Sequence, residues 1–173
     1  MNKRLLKRIF PLIALAFLLP WPVAYGFEVQ LPPAVQESVS ITAAGAEAQP
    51  TWTVSGSAIG DVTAGDLFFI DATESPADIG ITLYLTNAPD LIHGYRYLIL
   101  QIGLYRQNAE GGWDKVTEAE GAPDTFLTMN NGQVHFMLTG YADYKVTVDD
   151  GSFNCQIAGE GETAPNFYLA IDA

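Results

Sequence analysis

The stretch "DLFFIDATESPADIGITLYLTN", Asp66 to Asn87, places two hydrophobic runs on either side of a short acidic loop. The second run alternates, and one of its faces is made of Ile79, Ile81, Leu83 and Leu85. Successive side chains of a strand point to opposite faces of the sheet, so this alternation indicates a strand with one buried face. We therefore predict two strands joined by a polar bend.

The same period of two continues through most of the chain after Pro50. The run "YRYLILQIGLY", Tyr95 to Tyr105, is apolar at nearly every position instead of alternating. A strand that is apolar on both faces is typical of the middle of a sheet that is covered on both sides. We predict such a central strand here, because tyrosine, isoleucine and Gly103 favour a strand over a helix.

Turn signals separate the alternating runs. Asn131-Gly132 and Asp150-Gly151 are the residue pairs that tight β-hairpins prefer, and Gly111-Gly112 indicates a looser hairpin. No segment has a convincing helical pattern. The sequence therefore predicts an all-β fold, an antiparallel β-sandwich of immunoglobulin-like or jelly-roll-like type with about nine or ten strands. A closed barrel is the alternative topology.

The first 26 residues have the pattern of an export signal. A basic head, from Lys3 to Arg8, precedes an apolar run of eleven residues from Ile9 to Leu19, and Ala24-Tyr25-Gly26 offers small residues for cleavage. A retained anchor is the alternative, but eleven helical residues rise only about 16 Å, roughly half of the bilayer core. We predict a signal peptide at 1–26, an N-terminal arm at 27–50 and a sandwich domain at 51–173.

The charge of the exported chain limits its partners. Cleavage would leave four basic and twenty acidic residues, a formal net charge of −16, compared with −12 for the whole chain. Such a surface repels nucleic acid and attracts cations or basic partners. Cys155 is the only cysteine, so the chain forms no internal disulfide, and no second apolar stretch is long enough to span a bilayer. We expect a secreted, periplasmic or cell-surface protein.

The arm from Phe27 to Pro50 is a candidate strand donor. Val39 and Ile41 alternate with polar residues and predict one short strand, and residues 28–31 form a second extended segment. An open sandwich has edge strands that accept an additional strand. We therefore expect that the arm could pair with the edge of another copy of the chain.

Acidic loops are the candidate metal ligands. Asp71, Glu74 and Asp78 lie in the loop of the opening stretch, and Asp149 and Asp150 lie at the second turn signal. Calcium prefers six to eight oxygen ligands, and such loops can supply them. No EF-hand spacing is present, and acidic residues also favour turns for local reasons. We expect no cofactor; a calcium ion bound by these five residues is the alternative.

Two aromatic residues are the candidate ligand platform. Trp113 follows the Gly-Gly loop and precedes charged residues, and Tyr84 is on the polar side of its strand, so both could stack on sugar rings. Packing within the sheet is the alternative for both. Enzyme motifs for a nucleophile elbow, a phosphate loop or a zinc protease are missing from the sequence. We expect Cys155 to be a buried apolar residue, not a nucleophile activated by His135.

These observations predict an exported, non-catalytic β-sandwich protein with a structural, surface-interaction or self-assembly role. The alternative is a calcium- or carbohydrate-binding module. In its organisation, with a signal peptide and no cysteine framework, the chain resembles secreted biofilm-matrix and fibre-forming sandwich proteins of the camelysin type. The resemblance is one of organisation and includes no motif. The expected partners are the chain itself through edge-strand pairing, or a surface protein or glycan.

Overall fold

A computed structural model describes residues 26–30, 38–52, 59–122, 125–156 and 163–172. Apart from Gly26, the predicted signal peptide lies outside the described residues. The described part of the chain contains one short α-helix and twelve strands. The strands are β1 (Gly26–Gln30), β2 (Ser40–Ala43), β3 (Thr51–Trp52), β4 (Ile59–Thr63), β5 (Gly65–Asp71), β6 (Ile79–Leu85), β7 (Tyr95–Gln107), β8 (Trp113–Lys115), β9 (Phe126–Thr128), β10 (Gln133–Leu138), β11 (Asp143–Cys155) and β12 (Asn166–Ile171).

The strands form two sheets, which confirms a sandwich-like all-β arrangement. The smaller sheet has the order β1-β12-β6-β10. In the eight-stranded sheet, β11 is central: β7 pairs along one side of it, while β5 and β4 share its other side. At the edges of this sheet, β2 pairs with β5 and β3 pairs with β4. On the opposite side, β8 and β9 both pair with β7. All of these pairs are antiparallel except β1 with β12, which is parallel.

The core lies between the two sheets and is built by the predicted alternation. The inward positions of β6, from Ile79 to Leu85, are buried as expected. They share one hydrophobic cluster with Phe68 of β5, Leu104 of β7 and Val146 of β11. Each fully buried side chain of this size stabilises the fold by about 1.5–3 kcal/mol relative to exposure, so the core is a sufficient source of stability without disulfides.

The central strand predicted over Tyr95 to Tyr105 is present as β7, but one of its faces is not covered. Leu98, Leu100 and Ile102 point into the core, whereas Tyr97 and Ile99 are exposed on the outer face. The prediction of cover on both sides was therefore wrong for the described part of the chain. The sequence signal was an apolar run, and an apolar run does not distinguish a covered face from an uncovered one.

The three predicted hairpins have three different outcomes. Gly111-Gly112 joins β7 to its partner β8, which confirms that hairpin. At Asn131-Gly132 the turn forms, with φ of +64° at Gly132, but β9 and β10 enter different sheets, so the hairpin prediction was wrong. The Asp150-Gly151 prediction was also wrong, because both residues lie inside the continuous strand β11. The pairing of β11 with β7 shifts register between Val148 and Asp150, so an irregularity occurs where the turn was expected.

The acidic loop of the opening stretch crosses from one sheet to the other. It leaves the eight-stranded sheet at Asp71 and enters the smaller sheet at Ile79. After β6 the chain forms helix α1 (Ala88–Gly94), which corrects the expectation of no convincing helix. Its start has Pro89 in the first turn and an acidic Asp90, both typical of helix N-termini. No helix in the described part of the chain has the length and apolar character needed to cross a membrane.

Candidate functional site

The predicted acidic loop is held by its own hydrogen bonds. Thr73 donates from its backbone N–H (3.0 Å) and its hydroxyl (2.6 Å) to the Asp71 carboxylate. These bonds lower the pKa of Asp71, the side-chain bond contributing most. Glu74 and Asp78 are exposed in the same loop. Asp71 therefore acts as a turn-forming residue, which accounts for its position without a ligand.

The structure does not bring the two predicted acidic groups together. Asp71 pairs with Asp143 at the start of β11, whereas Asp149 and Asp150 lie six and seven residues further along that strand. At about 3.3 Å per residue the separation is roughly 20 Å. In the described ranges there is no group of three or more His, Cys, Asp or Glu side chains that could hold a metal ion.

Asp149 accepts hydrogen bonds from three side chains of the eight-stranded sheet. Lys115 donates at 2.5 Å, the Thr147 hydroxyl at 2.5 Å and the Tyr105 hydroxyl at 3.1 Å. Gly103 leaves room for this carboxylate, because a Cβ there would lie 2.6 Å from both of its oxygens. The carboxylate is thus neutralised and hydrogen-bonded within the chain.

The pKa values of two donors to Asp149 are shifted upward. The hydrogen bond to Asp149 raises the pKa of Lys115, against the effect of its partial burial. Burial raises the pKa of Tyr105, and the negative charge of Asp149 adds to that effect. Both shifts favour the protonated donors, so the cluster is stable as a cationic lysine and a neutral phenol on either side of a carboxylate.

Trp113, the predicted ligand platform, lies next to the Asp149 cluster and contacts a second lysine. Lys145 Nζ lies 5.3 Å from the centroid of the Trp113 ring and 5.6 Å from that of Tyr105. The same ammonium group forms a 2.9 Å ion pair with Asp66. We call the outward-facing set of Asp66, Tyr105, Trp113, Lys115, Lys145 and Asp149 the ion-paired half of the eight-stranded sheet's outer face.

A shallow groove of about 210 Å³ borders Trp113 on the side of β2 and β5. Phe69, whose ring centroid lies 6.3 Å from that of Trp113, lines it together with Asp71, Gln107 and Asp143. The lining of this groove therefore combines the Trp113 ring with polar side chains that could exchange hydrogen bonds with hydroxyl groups. Trp113 itself is only half-buried.

Tyr84 lies in the other sheet. It packs against Tyr168 of β12, with ring centroids 5.9 Å apart, on the outer face of the four-stranded sheet. Trp113 belongs to the eight-stranded sheet, so the two predicted ligand-binding aromatics do not share a face. A sugar platform made of both residues is not assembled by this fold.

Sequence reasoning missed a polar cluster on the outer face of the four-stranded sheet. The Thr82 hydroxyl donates to Asp172 at 3.0 Å, and His135 Nδ1 lies 3.0 Å from the same carboxylate. Gly80 leaves space for it, since a Cβ there would lie 2.9 Å from an Asp172 oxygen. A glycine within a strictly alternating strand was the one signal that could have indicated it. Cys155 is fully buried, as expected, and lies on β11 of the other sheet.

The arm supplies an edge strand to each sheet. β1 pairs with β12 in the four-stranded sheet, and β2 pairs with β5 in the eight-stranded sheet, which confirms the short strand predicted around Ile41. From β1, the Phe27 ring contacts Phe68 at 5.6 Å and Phe167 at 5.9 Å between centroids. The arm thus touches both sheets, and Phe27 packs against the hydrophobic core.

No protein-family model and no curated protein matches this sequence. Among solved structures, the chain is similar to CpGH89CBM32-4 from Clostridium perfringens, with 9% sequence identity over 78% of this chain and 93% of that one. The TM-score is 0.28. A likeness at that level carries no argument about fold or function.

Proposed function

We propose that this is an exported, non-catalytic β-sandwich protein that assembles with further copies of itself by exchanging strand β1 between chains. The observation that supports the proposal is the position of β1. It is a short edge strand that pairs in parallel with β12 and is followed by the seven residues 31–37. Fully extended, seven residues span about 25 Å, enough for β1 to reach a neighbouring copy.

Exchange would replace each contact of β1 with the same contact in another copy. Phe27 would leave its position between Phe68 and Phe167, and the Phe27 of a neighbour would occupy it. The free energy of exchange is therefore small, because the contacts that β1 forms with a neighbouring copy are the same as those it forms within its own chain.

The experiment traps the exchanged pair with cysteines. Glu28 and Tyr168 are register partners on β1 and β12. We would place Glu28→Cys in one chain and Tyr168→Cys in another, each with Cys155→Ala, mix them at high concentration and oxidise. A mixed disulfide dimer is the expected product, because only pairing between chains brings these two positions within reach. Light scattering of the unmodified chain should show multimers, and deletion of residues 27–37 should remove them.

Glu28→Cys mixed with Met137→Cys is the matched control. Met137 lies on β10, at the opposite edge of the four-stranded sheet from β1. Three strand spacings, about 14 Å, therefore separate β10 from the position that an exchanged β1 would occupy. That mixture should yield no specific dimer. A monomer at every concentration, or a disulfide that forms only when both cysteines are in one chain, would contradict strand exchange.

Carbohydrate binding is the second candidate, and Trp113 with its groove favours it. Affinity electrophoresis through gels that contain soluble polysaccharides tests it directly. Slower migration of the protein in a polysaccharide gel would indicate binding. If Trp113→Ala abolishes this slowing and Tyr84→Ala does not, the sugar site lies on the eight-stranded sheet. The five acidic residues considered for calcium lie in two separate places, so a calcium-binding function is not proposed.

A further inference from the structure

The other half of the same outer face is apolar and exposed. Phe126 on β9 is 55% exposed, Ile59 on β4 58%, Ile99 on β7 40% and Tyr97 on β7 36%. Strand register places them side by side: Ile59 and Tyr97 lie on either side of Asn154, and Phe126 and Ile99 lie on neighbouring strands. We call these four residues the apolar half of the outer face.

A shallow groove of about 210 Å³ runs through the apolar half. Ile99 and Phe126 supply its apolar walls, and Asp61 and Asp150 supply two carboxylates. None of the residues that line it is basic. The groove therefore matches a partner surface in which apolar side chains lie next to positive charges.

The size of the apolar half indicates the size of the partner. Four side chains at these exposures present about 400 Å², which is in the range of functional surface patches. A stable interface between two folded proteins buries about 800 Å² on each side. A single helix that lies across the strands is large enough to cover this area, and sheet faces are commonly covered by amphipathic helices.

The charges disfavour a second copy of the chain as the occupant. The exported chain has four basic residues, and two of them, Lys115 and Lys145, are already paired with Asp149 and Asp66. Two copies packed face to face would also bring the carboxylates that flank one patch close to those of the other. Like charges at an interface cost several kcal/mol, so the complementary partner is a different, cationic molecule.

We propose that the apolar half docks an amphipathic helix of a partner protein whose apolar stripe is flanked by lysine or arginine. The stripe would cover Ile59, Tyr97, Ile99 and Phe126, and the flanking cations would pair with Asp61 and Asp150. This surface is separate from β1, so the proposal does not depend on strand exchange. The partner helix and the self-assembly interface would occupy different parts of the sandwich.

A designed helix tests the proposal. The probe is a fluorescein-labelled peptide, LKKLLKLLKKLLKL, and its charge-reversed counterpart carries glutamate at every lysine. Fluorescence anisotropy with the full mature chain gives the dissociation constants at low and moderate salt. We expect Ile99→Ser with Phe126→Ser to weaken binding of the basic probe at least tenfold. Asp61→Asn with Asp150→Asn should weaken it about threefold to fivefold and flatten its salt dependence.

Met137→Ser is the matched control, because Met137 is an exposed apolar residue on the outer face of the other sheet. It should change the dissociation constant less than twofold. Circular dichroism and the urea midpoint would show that each variant is folded. Three results would overturn the proposal: no binding of the basic probe, equal binding of the acidic probe, or undiminished binding by the folded Ile99→Ser, Phe126→Ser variant. If the unmodified chain forms a dimer and the Ile99→Ser, Phe126→Ser variant is monomeric, the apolar half binds a second copy of the chain and the proposal is wrong.

Discussion

The two halves of the eight-stranded sheet's outer face share strands β7 and β11 but differ in how their side chains are satisfied. In the ion-paired half, outward positions carry lysines, carboxylates and aromatic rings that contact one another, as Lys145 does with Asp66 and Trp113. In the apolar half, outward positions carry Ile59, Ile99 and other side chains that stay exposed. In the first half the charged groups pair with one another, whereas the second half presents large apolar side chains at the surface.

The difference follows from which short strands border β7 and β11. β8 and β5 border one end, and they bring Lys115 and Asp66 to the carboxylate and ammonium groups of β11. β9 and β4 border the other end, and they bring Phe126 and Ile59 to a face that is already apolar. Exposed polar side chains can be satisfied by water, but exposed apolar ones gain by burial, so the two ends have different consequences for binding.

The largest expected effect is the loss of the carboxylate at the centre of the ion-paired half. Asp149→Ala should lower the free energy of unfolding by about 2 kcal/mol, because it removes the three hydrogen bonds that Lys115, Tyr105 and Thr147 donate to this carboxylate. Urea denaturation monitored by tryptophan fluorescence measures it. Asp150→Ala is the adjacent control, since that carboxylate accepts a bond only from the next backbone N–H, of Gly151, in the described part of the chain. Its effect should stay within about 0.5 kcal/mol. Equal losses would mean that the Asp149 network contributes nothing specific.

The sequence alone was sufficient to predict features that depend on residues close together along the chain. The alternation from Ile79 to Leu85 gave the buried face of β6, and a turn forms at Asn131-Gly132, where a turn signal was read. The sequence alone was not sufficient to predict which of the two sheets a strand joins. The turn signal at Asn131-Gly132 is local, while the choice of β9 for one sheet and β10 for the other depends on partners far along the chain. The same holds for Asp150-Gly151, where pairing with β7 and β4 overrides a local turn preference.

The candidate sites show the same division. Trp113 was predicted as a candidate ligand platform, and it lines a groove on the outer face, a placement that leaves ligand binding untested. Asp149 was predicted as a calcium ligand, but its partner Lys115 comes from β8, 34 residues away. A carboxylate in a turn-like sequence cannot be distinguished from one in an ion pair until the strands are placed. The cluster of His135 and Asp172 was missed for the same reason.

Two substitutions on β11, one in each half of the outer face, should change the free energy of unfolding by smaller amounts and in opposite directions. Thr147 and Asn154 both occupy outward positions of β11. The Thr147 hydroxyl donates to Asp149, so Thr147→Val should destabilise the fold by about 1 kcal/mol. Asn154 Oδ1 is buried without a hydrogen-bond donor among the described residues, so Asn154→Val should stabilise it by about 0.5 kcal/mol. Urea midpoints of both variants measure this. A loss of stability in both would contradict the inference that the Asn154 side chain costs the fold stability because its Oδ1 is buried without a donor.

The smallest expected effect is a change in the alkaline stability of the ion-paired half. The pKa values of Tyr105 and Lys115 lie above their ordinary values of 10.0 and 10.5 in the folded chain. The folded state therefore holds these two protons to a higher pH than the unfolded state does. Their contribution to stability is fully present below about pH 10 and is lost as the pH rises through the folded-state values.

Urea midpoints between pH 8 and pH 11.5 measure that loss. Tyr105→Phe removes one of the two titrating groups, so we expect its midpoint to fall less steeply above pH 10 than that of the unmodified chain. Tyr97→Phe removes a phenol that lies outside the Asp149 cluster and serves as the matched comparison. If both variants flatten the curve equally, the alkaline loss belongs to tyrosines in general. If only Tyr105→Phe does, it belongs to the hydrogen bond and charge that Asp149 provides on one half of the sheet.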